Sequence, residues 1–262
     1  MPVANRKKAA KTAYAAPALE KAFDIMELLG TVPDGLTSSE LAQKLGRSVS
    51  ELFRILVVME RRGWLRRSPE TDRYSVSYHV LETAFKASPM RALGVIAGPI
   101  MYELSQVTVQ SCHLVVMSED EGLIVQQQDS PAHSGFSVRL GTRIHIARSA
   151  SGRVLLAFSD DEIAQRVIAT VKLTAGELKE LKSRLVMIRD RGYEIRPSIR
   201  SMGVTDISYP IFGFDGRIRA TLSMPFLMVI DGTQKIDIEH ARRRVEQCAR
   251  RISNGLGWSG EG

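Results

Sequence analysis

Between Thr37 and Arg62 the chain runs TSSELAQKLGRSVSELFRILVVMERR, and few folds can absorb such a stretch. Thr37 precedes Glu40 by three residues, as Ser48 precedes Glu51. This is capping-box spacing: a hydroxyl accepts from an orphan amide at a helix start, and the glutamate reaches back to the cap's own amide. Two helices are therefore predicted to begin there. Leu45-Gly46 closes the first, because glycine enters the left-handed region at a helix end without steric cost. In the second helix Leu52, Ile55, Leu56 and Met59 fall at i, i+3, i+4 and i+7, which is one buried face. Ser50, Glu51, Arg54 and Arg61 take the opposite face. The stretch is either a helical hairpin with solvated charges or a helix-turn-helix, and its flanks bear on the choice.

Residues 1–17 contain Arg6, Lys7, Lys8 and Lys11, no acid and no periodic apolar face, and read as a basic mobile arm that lies along DNA or is simply a tail. From Ala18, Leu19, Ala22, Phe23, Met26 and Leu29 predict a first helix ending at Gly30. Beyond Gly63, two short extended runs, 64–67 and 73–77, flank the turn Ser68-Pro69-Glu70-Thr71-Asp72 and predict a hairpin. Three helices and a hairpin form the layout of a winged helix-turn-helix, whose third helix enters the major groove. Short polar groups such as Ser48 and Ser50 suit base edges, and Arg47 and Arg54 suit guanine or phosphate. Arg66, Arg67 and Arg73 become wing phosphate contacts; arginines protecting a sheet edge would look the same. Residues 47–73 hold seven arginines against four acids. The formal net charge of +7 suggests an anionic partner without naming one.

At 262 residues the chain has room for two domains. The run Ala92 to Tyr102 is too short to cross a bilayer, and the basic N-terminus lacks the apolar stretch of a secretory signal. Cys112 and Cys248 have no paired spacing and read as buried thiols of a cytoplasmic protein. Catalytic chemistry finds little support: the five histidines are scattered singly, Ser151-Gly152 lacks the rest of a nucleophile elbow, and no glycine-rich phosphate loop occurs. Neither a metal site nor a cofactor is predicted.

After a helix over 79–87, which with residues 80–90 forms a linker, the texture changes. Apolar runs at 112–117 and 123–127 flank an acidic turn, and 136–140 continues the strand character. Helices are predicted over 91–106, 153–158, 160–170, 174–191 and 234–254, and strands over 204–212 and 217–223 around an Asp215-Gly216 turn. This is an α+β domain, an antiparallel sheet covered by helices, spanning 91–255 behind a winged domain of 18–79; residues 256–262 read as a flexible tail.

From about Ala18 to about Arg250 the chain resembles the IclR (isocitrate lyase regulator) family of bacterial transcription factors. Ser50, Arg54, Leu56, Met59 and Gly63 resemble that family's third-helix pattern. Gly141-Thr142-Arg143 and the run Ala150 to Ala157 resemble its "G-R … A-S-G-K-A-L-L-A" segment. Arg191-Gly192-Tyr193, Gly203-Val204, Ile207, Pro210-Ile211 and Asp215-Gly216 follow its later series. The resemblance implies a homodimer or dimer of dimers on a palindromic double-stranded operator. It also implies a GAF- or PAS-like second domain that holds a small organic effector and controls operator binding. Where the family carries a proline and a histidine before the A-S-G motif, this chain has His145 and Ala147, and Ser198 and Ile199 replace a carboxylate pair. Fewer acids beside Arg143, Arg148, Arg196 or Arg200 favour a carboxylate effector, from aromatic or sugar-acid catabolism, unless those arginines face solvent. The expected site is Arg143, Ser149, Ser151, Gly152, Asp206 and Ser223. Ser149, Ser151 and Gly152 sit at a helix start, where free amides bind anions and where plain capping is the competing role. Asp206 and Ser223 come from the family pattern alone. A DNA-associated architectural protein without a ligand is the alternative reading.

Overall fold

The computed structural model describes residues 16–86, 88–133, 135–230 and 234–260, so the predicted basic arm lies, but for its last two residues, outside the described residues. The chain forms two compact units, up to Ser88 and from Pro89 onward.

In the first unit α1 (Pro17–Leu29), α2 (Ser38–Leu45) and α3 (Val49–Arg61) precede β1 (Leu65–Arg67), β2 (Tyr74–Val76) and α4 (His79–Lys86). The Thr37 box is complete: Glu40 donates its amide to Thr37 Oγ1 at 3.3 Å, and Thr37 donates its own to the Glu40 carboxylate at 2.8 Å. The second box is half made. Ser48 Oγ accepts the Glu51 amide at 3.2 Å, but the Glu51 carboxylate turns to Lys21 of α1, 2.5 Å away. A cation from a neighbouring helix outcompetes the cap's backbone. Gly46 (φ 63°) closes α2 in the left-handed region. Leu52, Leu56 and Met59 are buried with Ile25, Leu41, Leu65 and Tyr74 in one core, Ile55 packing at its margin. β1 and β2 pair antiparallel as a wing, and Leu36 bridges to Tyr74, joining the wing to the α1–α2 turn.

The second unit has α5 (Ser88–Thr108), β3 (Cys112–Ser118), β4 (Glu121–Gln128), β5 (Arg143–His145), α6 (Ala150–Phe158), α7 (Asp161–Thr170), α8 (Ala175–Arg191), β6 (Glu194–Pro197), β7 (Val204–Phe212), β8 (Ile218–Leu227) and α9 (Ile238–Gly255). Its antiparallel sheet runs β5-β4-β3-β8-β7-β6. One face carries Cys112, Leu114, Ile207, Tyr209, Leu222 and Met224 against α5 and α9; the other packs Val115, Ile124 and Ile144 against α6, α7 and α8. Residues 150–157 of α6 are all buried, as befits a helix enclosed on every side.

Two sequence expectations need correction, and two strands went unforeseen. Residues 136–140 form no strand; the Phe136 carbonyl instead accepts from the Ser111 hydroxyl. The outer strands β5 and β6, three and four residues long, are too short to show alternation. The segment after residue 255 is not wholly free, since the Trp258 amide donates to Ser253 O at 3.0 Å and its ring lies 5.1 Å from that of Phe212.

Candidate functional site

On α3 the burial of Leu52, Leu56 and Met59 turns Ser50, Arg54 and Arg61 outward, and all three are exposed. Arg54 and Arg61 make no ion pair among the described residues. Arg47 is exposed but leans 3.4 Å from Glu51, and Ser48 spends its hydroxyl on the cap. Glu51, half-buried and held by Lys21, is the least free of the predicted groove contacts; those cations keep its carboxyl below the usual range. The exposed face also presents Val49, Phe53 and Val57, which the sequence reading passed over. Their spacing broadens the apolar stripe, so pattern alone assigns them to the core. Exposed apolar groups beside Ser50 and Arg54 suit the methyl group of thymine.

The wing arginines differ in freedom. Arg66 donates through Nε to Ser75 Oγ across the hairpin at 2.8 Å and remains exposed. Arg67 pairs with Asp72 at 2.8 Å and lies over the Tyr74 ring. Arg73 donates to Gly35 O at 2.8 Å and to the capping Glu40 at 3.1 Å. Its guanidinium fastens the wing to the start of α2, which leaves it less available for phosphate than the sequence suggested.

The second site begins with β7 and β8, whose alternation is polar where a covered sheet face should be apolar. The registers place Glu194, Ser208, Ser223 and His113 on one rung across four strands, with Arg196 and Asp206 opposite each other one step along. Ser208 and Ser223 share a hydrogen bond of 2.6 Å, and Thr221 donates to Ser151 O at 3.3 Å. Above this face begins α6. Ser149 Oγ accepts the Gly152 amide at 3.1 Å and donates to His145 O at 3.0 Å. A helix leaves its first amides without internal partners, and only that of Gly152 is taken up by the cap.

A cavity of about 70 Å³ lies between these elements. Of the predicted residues, Ser149, Ser151, Asp206 and Ser223 line it, together with His145 and Arg200, which the sequence placed beside the pocket, and with His113 and Phe136, which it did not. The available signal was the polar register of β7 and β8. Gly152 does not line it: a Cβ there would lie 2.2 Å from the Ile146 carbonyl oxygen, so the glycine admits a close backbone crossing. Nor does Arg143, which lies exposed on β5 and pairs with Glu121 at 3.1 Å.

Burial dominates the electrostatics. It lowers His113 to about 4, so its imidazole is neutral at physiological pH. It raises the Asp206 carboxyl to about 6 against the opposing pull of Arg196, the Ser198 hydroxyl and Arg200. His145 is lowered by burial and then by Arg148. The arrangement offers hydroxyl and amide donors and a carboxyl that takes up a proton near pH 6. Among the described residues there is no group of three potential metal ligands and no helix long and apolar enough to cross a membrane.

Residues 18–69 match the IclR helix-turn-helix domain, and residues 90–254 match the family described as bacterial transcriptional regulator IclR C-terminal. The chain is 30% identical over 251 residues to the HTH-type transcriptional regulator BhcR of Paracoccus denitrificans, covering 91% of this chain and 87% of that one. It is 30% identical over 213 residues to the regulator KdgR of Dickeya chrysanthemi, covering 79% and 69% respectively. Among solved structures, IclR of Thermotoga maritima superposes with a TM-score of 0.71 at 26% identity, covering 92% of this chain and 98% of that one. An IclR homologue from Microbacterium hydrocarbonoxydans complexed with 4-hydroxybenzoate shares the fold with a TM-score of 0.77 at 21% identity, covering 91% and 98%. With a helix-turn-helix unit, a helix-covered antiparallel sheet and relatives matched along most of its length, the chain belongs to the IclR family of DNA-binding transcriptional regulators, and its role is regulation, not catalysis.

Proposed function

We propose that a small organic carboxylate binds in the cavity at the start of α6 and controls binding of the winged units to a palindromic operator in the cytoplasm, in a homodimer or dimer of dimers. The observation that carries this reading is the buried start of α6. Ala150 and Ser151 line the cavity with helix-end amides that the cap does not use, and in a desolvated site such amides attract an anion strongly. Asp206, able to carry a proton near pH 6, donates to the same anion, and Ser149 and Ser223 add hydroxyls. A ligand-bound IclR homologue of the same fold supports the use of this unit as a sensor. The cavity has room for about two waters' share of volume. A carboxylate head fits it, and a larger body displaces the exposed Ile199 and Arg200. On the DNA side, Arg47, Ser48, Ser50, Glu51, Arg54 and Arg61 of the α3 region face the major groove, and Arg66, Arg67 and Arg73 approach the backbone. Isothermal titration of the full chain with aliphatic and aromatic carboxylates, 4-hydroxybenzoate among them, tests the sensor. Saturable binding of one class is expected, and no saturation by any of them overturns it.

A further inference from the structure

A larger concavity, about 600 Å³, lies between α8 and the edge strand β6. Arg153, Lys179, Arg184 and Arg196 line it, against the single acid Glu180. Arg184 is already engaged: Glu194, fully buried, accepts from it at 2.9 and 2.7 Å and from Arg191 at 2.6 Å. Two guanidiniums on one carboxylate leave one positive charge over. Adding Asp206, opposite Arg196 in the β6–β7 register, five cations meet three carboxylates, an excess of two.

The excess is concentrated where it is hardest to tolerate. Arg153 is 8% exposed, donates one Nε bond to Ala147 O at 2.8 Å, and reaches Glu180 only at 3.4 Å. A guanidinium has five donors, so most of its fork is unused by protein acceptors. Among the described residues Arg196 makes one hydrogen bond, to Arg148 O at 3.1 Å. Lys179 is exposed and makes no ion pair among the described residues. Burial and the like charge of Arg196 both act against the Arg153 cation, and arginine cannot escape by losing its proton.

We infer that this groove is a second anion site, separate from the α6 cavity, and that its ligand class is a phosphate dianion, free or carried on a small organic body. Two guanidinium forks and an ammonium match the oxygens of a phosphate better than a single carboxylate does. The volume leaves space for an attached body beside Ser183 and Met187.

The test is isothermal titration of the full chain at constant ionic strength with inorganic phosphate and with glucose 6-phosphate, chloride serving as the monoanion control. Saturable binding of at least one phosphate, at one site per chain, is expected. Tighter binding of glucose 6-phosphate identifies an organic phosphate, and binding of inorganic phosphate alone identifies the free ion. Lys179→Glu, at an exposed position, should weaken binding about tenfold or more, and Arg153→Lys, which keeps the charge but loses the fork, by about tenfold. Circular dichroism confirms that both variants are folded. Carboxylate binding at the α6 cavity should survive Lys179→Glu; if both ligands are lost together, the sites are not separate. Absence of saturation by either phosphate, or unchanged affinity in both variants, overturns the inference whether or not a carboxylate binds.

Discussion

Replacing Asp206 with asparagine isolates the cost of its charge. Burial raises the carboxyl from 3.8 to about 6, net of the favourable pull of Arg196, Ser198 and Arg200. A carboxyl whose folded-state pKa exceeds its unfolded value binds its proton more tightly in the native state. Its stabilising contribution is complete below about pH 4 and is lost as pH rises through 6. At about 1.4 kcal/mol per unit, the two-unit rise leaves the wild-type chain about 3 kcal/mol worse off at pH 8 than at pH 3. Asparagine keeps the shape and has no charge to desolvate. The variant should therefore be about 2–3 kcal/mol more stable than wild type at pH 8 and nearly equal to it at about pH 3. For a unit of this size that is a rise in Tm of roughly 4–10 °C, read by thermal unfolding of the full chain at the two pH values. Carboxylate affinity should follow the same proton, with wild-type binding falling by up to about tenfold per pH unit above 6 and Asp206→Asn binding staying flat. A Tm difference equal at both pH values, or a variant less stable at pH 8, would refute the reasoning. It would mean that neighbouring cations outweigh burial at this position.

Other substitutions probe the remaining structure. Arg54→Ala should lower operator affinity by about 1–3 kcal/mol with little effect on random DNA, measured by fluorescence anisotropy; equal loss on both would make Arg54 a phosphate contact. Glu194→Ala leaves Arg184 and Arg191 without their shared carboxylate and should cost about 3–5 kcal/mol in denaturant unfolding, whereas a cost under about 1 kcal/mol would show that solvent replaces it. Gly152→Ala forces the backbone of α6 away from Ile146 and should destabilise the second unit by about 1–3 kcal/mol; an unchanged Tm would mean that the crossing is slack.

How much of this was legible in the sequence depended on whether local chemistry or tertiary packing decides. The Thr37 box, the left-handed Gly46 and the buried stripe on α3 are set by neighbours three or four residues away, and they appear as read. The Glu51 carboxylate escaped because Lys21 is remote in sequence. The bonds from Arg73 to Gly35 and Glu40 were hidden in the same way, since nothing in its neighbourhood points to either partner. In the second unit the long strands were visible, while β5 and β6 depend on partners for their pairing. The cavity was half legible. Ser149 and Ser151 belong to a motif, and Asp206 and Ser223 follow a family pattern. His113 joins them only through the order of strands.

On the proposed function, α3 and its wing read DNA sequence under the control of a ligand held by the second unit. The most direct measurement selects duplexes from a random pool with the full chain. It then compares affinity for the selected duplex and a scrambled one at one salt concentration, with and without a saturating carboxylate. An enriched inverted repeat is expected, with half-sites about one helical turn, or a multiple of it, apart. The chain should prefer it over scrambled DNA by about a thousandfold or more, and that preference should change when the carboxylate is present. Equal affinity for selected and scrambled duplexes, or a preference that no bound carboxylate alters, would rule out ligand-controlled sequence reading.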